Sequence, residues 1–445
     1  MNKYKIFFLL IVFQVQIQAQ NVDKCYTTPI VERELEINHE YAEARENHFK
    51  ESKKWLSNNL NLTETKEVIT IPIVVHVVHR NSHPQPGQGT NIPDSQIEDQ
   101  IRILNEDYSK TNPEFPNPPR NTFVNIAGNP NLKFCLASVD PNGNPTNGIT
   151  RTATTKTNFD PDTEGNDMKR NTTNGKDGWD PSRYLNIWVC DLASSQGGGM
   201  VLGYAYLPGL LAGFGFQAWK DGLVVDFQWF GTTDLAAGSS DGRTATHEIG
   251  HYLGLNHTFC ESQSGGCCDN DDANVDDTPA TDGVYWGPVF SFTSNNSCND
   301  LFYGFSSDYL DMDENYMSYA ANTWMFSQGQ VNAMMATLNT PDLTGGRLNL
   351  KNSNVAVNCG TVNTEWFNRD NPIDIYPNPS SGYINISSNE IIESISIIDF
   401  FGKIVLVDEN YDGNQINIKE LKNGIYLAKI STLQNTYTKK IIINQ

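Results

Sequence analysis

The stretch His247-Glu248-Ile249-Gly250-His251-Tyr252-Leu253-Gly254-Leu255-Asn256-His257 decides the reading of this chain. On a helix, histidines four residues apart share one face, one turn above the other. Glu248 follows the first and can reach a water held beside the pair. Gly254 can take the left-handed conformation that ends a helix, turning the chain so that His257 swings back toward His247 and His251. Three neutral imidazoles leave a zinc ion its full charge and one open position, where water has its pKa lowered to about 7. Glu248 can take the proton of that water as it attacks a carbonyl. A lone HExxH arises by chance often enough to need context, as histidines that merely align. The longer HExxHxxGxxH also fixes the glycine that the geometry needs. The expected zinc ligands are His247, His251 and His257, and the expected general base is Glu248.

Upstream of a helix expected to open near Arg243, the chain reads as strands. Residues 68–78 are β-branched and nearly continuous, as a strand buried on both faces should be. Further strands are expected at 133–139, 184–190, 200–207 and 223–229. Ile97, Ile101, Leu104 and Tyr108 recur at helical spacing, with Asp94 and Ser95 as cap candidates. His76 and His79 read as structural histidines. After Gly254 a long loop region rich in Asp, Gly, Cys and Ser begins. Residues 21–66 look like a helical leader and 67–355 like the main domain. Residues 356–372 have linker composition, and 373–445 alternate short strands with Asn, Gly and Pro turns, as a small β-sandwich does.

The 445 residues carry 31 Lys and Arg against 52 Asp and Glu, a net charge of −21. That balance argues against nucleic acid or an anionic membrane as partner, since both are bound through clustered cations. Neither GxGxxG nor GxxxxGK[ST] occurs, which argues against a nucleotide enzyme. Lys3 and Lys5, the apolar run 6–13 and the polar stretch ending Gln18-Ala19-Gln20 have the order of a signal peptide, expected over 1–20. The run is too short to span a bilayer, which takes about 20 apolar residues, and no other approaches that length. A protein exported in this way keeps its cysteines mainly as disulfides. Cys260, Cys267, Cys268 and Cys298 crowd one loop region and are expected to staple it. Cys135 and Cys190 each lie in a strand-like run and could pair, which leaves Cys25 and Cys359.

The zinc string resembles that of the metzincin clan of zinc peptidases. The resemblance implies a tight turn carrying a methionine beneath the metal, and Asn315-Tyr316-Met317-Ser318-Tyr319 matches it. Met317 is then the Met-turn residue, and Tyr319 the tyrosine that swings to the oxyanion in some clan members. Within the clan the chain resembles the pappalysin family. The matching text is Ile71-Pro72-Ile73-Val74-Val75-His76-Val77-Val78, Leu104-Asn105-Glu106-Asp107-Tyr108, Leu202-Gly203-Tyr204-Ala205, Gly242-Arg243-Thr244-Ala245-Thr246, Thr258-Phe259 and Asp276-Asp277-Thr278-Pro279. Together these span roughly 68–345.

Four implications follow from that resemblance. The strand around 200–207 is the sheet edge on which an extended substrate lies. The acidic loop from Asp269 to Asp282, otherwise a solvated charge run, holds a stabilising Ca2+, with Asp272, Asp277 and Thr278 as candidate ligands. Cys25 is the thiolate that closes the zinc's open position in a zymogen; the competing reading is a disulfide to Cys359 or another cysteine. Relatives that cleave beside basic residues carry acidic side chains just after the Met-turn tyrosine. Here the text is Ala320-Ala321-Asn322-Thr323, which puts a preference for Arg or Lys in question.

The C-terminal pieces Ile375-Tyr376-Pro377-Asn378-Pro379-Ser380, Gly402-Lys403-Ile404-Val405, Asn423-Gly424-Ile425-Tyr426 and Lys439-Lys440-Ile441-Ile442-Ile443 resemble the sorting domain of the type IX secretion route. The alternative there is an ancillary binding sandwich. The fold class expected is α+β: a metzincin-like catalytic domain with a twisted mixed sheet, an active-site helix and an irregular lower subdomain, plus the C-terminal β-sandwich. The expected function is a secreted zinc endopeptidase made as a zymogen and acting on proteins or peptides. The competing expectation is a secreted zinc-containing adhesin without peptidase activity.

Overall fold

The computed structural model describes residues 22–59, 68–193, 200–212, 217–261, 266–268 and 275–356, and most of 373–444. The expected signal peptide, Asp272 and residues 357–372 lie outside the described residues. The chain divides into two units, 1–359 and 360–445.

The first unit opens with a two-residue strand, β1 (Val22–Asp23), and two helices, α1 (Thr27–Ile37) and α2 (His39–Asn58). Asn38 separates them because its extended backbone breaks the helix, while its side chain accepts from Tyr41 N and starts the next. Both helices lie within the expected leader segment.

Next comes β2 (Ile69–Arg80), buried throughout 71–79. Its unbroken apolar text fits its place inside a largely parallel sheet. β3 (Leu132–Leu136) and β4 (Ile149–Thr154) pair with it in parallel through 69–73 and 75–80. β5 (Leu185–Cys190) pairs with it too, and β8 (Leu223–Asp226) lies beyond β5. The expected strand at 200–207 is two pieces, β6 (Met200–Val201) and β7 (Gly203–Ala205); β7 runs antiparallel to β8 at the sheet edge.

This topology overturns the pairing of Cys135 with Cys190. Their strands, β3 and β5, lie along the sheet order on opposite sides of β2. Two strand spacings put them on the order of 10 Å apart, beyond the reach of a disulfide. Cys190 is a buried free thiol, whereas Cys135 is disulfide-bonded.

Helix α3 (Asp94–Asp107) packs against β3 and α4. Its N-cap is Pro93 with no side-chain cap, so Asp94 and Ser95 belong to the first turn instead. Ser95 Oγ donates to Asp234 at 2.8 Å. The metal-string helix, α4 (Arg243–Tyr252), packs under β7 and β8. Between it and α5 (Gln328–Asn339), the described residues form only irregular backbone and one short 3-10 turn, Asp300–Tyr303. The short α6 (Leu348–Lys351) follows. Disulfides Cys260–Cys268 and Cys267–Cys298 staple the irregular region, as expected.

The second unit has two antiparallel sheets, of three strands (β9 Ile373–Tyr376, β10 Tyr383–Ser388, β13 Ile416–Asn417) and four (β11 Ile392–Ile398, β12 Ile404–Asp408, β14 Gly424–Thr432, β15 Thr436–Ile443). Alternate isoleucines, including Ile384, Ile395, Ile397, Ile418, Ile430 and Ile441, form one buried cluster. That is a sandwich core.

Candidate active site

Helix α4 is fixed at both ends before any ligand is considered. At its start, Thr246 Oγ1 donates to the buried Asp107 carboxylate at 2.7 Å. At its end, the buried Arg347 donates to the Tyr252 carbonyl at 2.7 Å and, with both terminal nitrogens, to Asp221 at 2.8 and 2.9 Å. A cation at a helix C-terminus complements the helix dipole. Gly254 then takes φ +99°, where a side chain would be strained, and the chain reverses.

That reversal brings His247, His251 and His257 together, with each pair of Nε2 atoms 3.1 Å apart. Each Nδ1 faces an acceptor: the Tyr316 carbonyl for His247 and the Leu255 carbonyl for His251, both at 2.7 Å, and the Glu261 carboxylate for His257. With Nδ1 donating, all three Nε2 lone pairs point inward. Lone pairs so close repel unless a cation stands among them, and the nitrogen donor set suits zinc. Burial keeps the rings neutral, pushing His251 down to about 4 and the other two well below the usual range. His76 and His79 stay apart: His76 bonds to Thr150 and Asn186 within the sheet, and His79 faces the Arg80 carbonyl.

Met317 is fully buried beneath this cluster. A Cβ on Gly250 would meet its sulfur at 2.3 Å, so the glycine inside the zinc string makes room for the methionine. Glu248 is buried, and burial raises its carboxyl to about 8, against hydrogen bonds from Cys25 and Thr27 that lower it. Its Oε2 accepts from Thr27 Oγ1 at 3.0 Å, and its Oε1 has no partner among the described residues. Tyr319 packs its ring against His257, Phe259 and Trp286, and its hydroxyl donates to the Cys25 carbonyl at 3.3 Å.

The leader runs through the cleft. β1 pairs in parallel with β6, Tyr26 N donates to the Gly203 carbonyl at 2.9 Å, and Ala205 N donates to Thr27 Oγ1 at 2.9 Å. The rim's free backbone groups are thus taken up by residues 22–27. The sulfur of Cys25 joins the three imidazoles, all four donor atoms lying within 4.8 Å of one another. Cys25 is a free, buried thiol, so its disulfide reading fails. Burial, and then Glu248, push that thiol well up, so it ionises there only against a cation.

Lys24 lines a cavity of about 250 Å³ together with Leu202, Trp229, Asp241, Arg243, Thr244 and Thr323, among others. Its ammonium donates to the carbonyls of Tyr319 and Ala320 at 2.9 and 2.8 Å. Of the calcium candidates, Asp277 accepts from Ser327 Oγ at 2.5 Å and Gly329 N at 2.7 Å at the start of α5, and Thr278 is buried.

The structure brings together the residues expected from the sequence, His247, His251, His257, Glu248, Met317, Tyr319 and Cys25, and adds Lys24, Thr27, Asp241 and Glu261, which sequence reasoning did not single out. Thr27 and Lys24 meet partners more than 200 residues away, and nothing local marks them.

A histidine-lined metal cluster beside a buried carboxylate and a sheet edge defines a zinc metallopeptidase. Residues 168–339 match the family described as pregnancy-associated plasma protein-A, and residues 374–444 match the secretion system C-terminal sorting domain. The chain belongs to the pappalysin family of zinc metallopeptidases. It is 38% identical to mature mirolysin of Tannerella forsythia bound to a cleaved peptide, over 64% of this chain and 97% of that one, with a TM-score of 0.54. A promirolysin mutant of the same organism is 34% identical over 74% and 97%, with a TM-score of 0.56. An extracellular metalloprotease of Arthroderma benhamiae is 28% identical over 65% of this chain and 84% of its own length. The sorting domain and these extracellular relatives make this a secreted protein. They do not favour the adhesin alternative. Among the described residues, no helix is long and apolar enough to cross a membrane.

Proposed function

We propose that the chain is the zymogen of a secreted zinc endopeptidase in which Glu248 is the general base. The observation that carries this reading is the convergence of the Cys25 sulfur and three Nε2 atoms beside the Glu248 carboxylate. Zinc held by His247, His251 and His257 supplies Lewis acidity to the scissile carbonyl and acidity to a neighbouring water. Glu248 Oε1 accepts the proton from the attacking water and returns it to the leaving amine. The Tyr319 hydroxyl, released from the Cys25 carbonyl, holds the developing oxyanion. The rim strands β6 and β7 bind an extended peptide through the backbone groups that residues 22–27 now occupy. Met317 gives the histidine cluster an apolar floor.

Latency follows from Cys25, whose thiolate would fill the position that substrate needs. The match to promirolysin extends over a larger share of this chain than the match to mature mirolysin, which supports a pro-segment here. The reading includes a structural calcium held by oxygen ligands of the loop that carries Asp277 and Thr278. Glu248→Gln in the processed enzyme tests the central claim. Zinc is retained and peptide cleavage falls by about 10²–10⁴-fold; unchanged cleavage removes Glu248 from its role. A Cys25→Ala precursor is active before processing, and an equally silent one retires the thiol switch.

A further inference from the structure

We infer that α1 and α2 form an inhibitory hairpin that stays docked after the chain between Asn59 and Val68 is cut, held by contacts with the catalytic unit that do not involve the Cys25 sulfur. The inference rests on the zymogen reading and adds that one cut does not open the enzyme.

Three sets of contacts carry it, and none uses Cys25. Glu34 of α1 pairs with Lys220 at 2.7 Å, with side chains only 3% and 11% exposed, and Asn38 Nδ2 donates to the same carboxylate at 2.8 Å. Lys220 does not stand alone: its carbonyl accepts from the wholly buried Lys169 at 2.6 Å, whose ammonium lies over the rings of Trp188, Tyr204 and Tyr206. Glu34 is thus the leader's counter-charge to a buried cationic corner. Withdrawing it leaves Lys220 unpaired against apolar walls, which opposes release.

Around that pair, Tyr26, Ile30, Val31 and Tyr41 belong to one apolar cluster with Met168, Trp188, Tyr206, Leu207 and Leu210 of the catalytic unit. A Cβ on Gly165 would meet Ile30 at 2.6 Å, so the seat is close-fitting. Finally α2 lies on α5 and the chain after β7. His48 bonds to Thr337 at 3.0 Å, Tyr41 Oη donates to the Leu207 carbonyl at 3.0 Å, and Arg45 donates to the Pro208 carbonyl at 3.4 Å. These contacts persist when only the covalent link is lost, and they return the cleft-filling residues 22–27 to the same place.

The test uses the full precursor with a site for a specific protease introduced between Asn59 and Val68. After cutting, the N-terminal fragment is expected to co-elute with the catalytic unit in gel filtration, with peptide cleavage still silent. A fragment that separates at once, with full activity appearing, overturns the inference and leaves the Cys25 switch of the uncut precursor untouched. Glu34→Gln, and on the other side Lys220→Met, are expected to release the fragment at least about 30-fold faster. Retention equal to wild type in both overturns the ion-pair anchor. A Cys25→Ala precursor keeps its cut fragment and cleaves peptide only partially, because residues 22–27 still occupy the rim. Loss of the fragment there overturns the inference, whereas a retained fragment with no cleavage supports the docking and retires the thiol switch alone.

Discussion

Tyr316 donates its hydroxyl to Asp107 at 2.7 Å while its own carbonyl takes the Nδ1 proton of His247, also at 2.7 Å. One tyrosine therefore ties helix α3 to His247, the first histidine of the cluster. Asp107 also accepts from Thr246, the residue before that ligand, so both its oxygens brace His247. Asp107→Asn can accept at only one oxygen. The expected outcome is a loss of about 1–3 kcal/mol of stability and of about 10-fold or more in zinc affinity. Tyr316→Phe produces a similar loss, and the double variant is less than additive. Zinc titration against a chelator measures this; unaltered affinity in both would reduce Asp107 to core packing.

Gly250 gives a second prediction. The 2.3 Å contact that an added Cβ makes with the Met317 sulfur forces the methionine aside. Gly250→Ala is expected to cost about 1–3 kcal/mol, as overpacking does. Met317→Ala in the same chain should recover part of it, read by thermal unfolding of the zinc-loaded precursor.

The third concerns pH. Burial between α2 and α5 lowers His48 to about 3, and Arg45 and Arg347 push in the same direction. Ser52 and Thr337 are the polar groups that meet its ring. A histidine depressed in the folded state adds stability above its unfolded pKa near 6.5, and that stability drains away as pH falls toward 3. At pH 5 the loss is about 2 kcal/mol. The precursor's leader should therefore loosen on acidification, and His48→Gln should flatten that part of the profile. Hydrogen exchange of α2 at pH 7 and pH 5 reports it, and an identical slope in the variant would remove His48 as the cause.

A fourth follows from Lys24. Its ammonium sits on two carbonyls; burial lowers its pKa from the usual lysine value, and Asp241, on the same cavity, opposes that and favours its charge. The mature enzyme is expected to accept Lys beside the cleaved bond although no acid follows Tyr319. Asp241→Asn should reduce that preference by about 3–10-fold in a peptide-library profile, a modest effect because Asp241 is exposed. A profile without basic preference in wild type would discard this pocket assignment.

The difference between what was legible and what was not follows sequence distance. His247, Glu248 and His251 lie on one turn of helix, and Gly254 announces the turn that returns His257, so the cluster is written locally. The long strand β2 is equally plain, because burial on both faces leaves no polar alternation. Strand order leaves no such trace: nothing in 132–136 or 185–190 says that β2 lies between them, and the pairing of Cys135 with Cys190 failed for that reason. Leader contacts such as Thr27 with Glu248 are similarly invisible, since each partner is an ordinary residue in its own neighbourhood. The N-cap of α3 lies one or two residues before the cap candidates, because Asp and Ser suit a first turn as well as a cap.

Chain order has a consequence for the cell that makes this peptidase. Residues 27–58 leave the ribosome nearly 200 residues before the histidine helix, and segments generally fold in the order in which they emerge. On the zymogen reading proposed above, the guard is synthesised ahead of the blade, and biosynthesis leaves no interval in which a finished cleft exists without its stopper already attached to the same polypeptide.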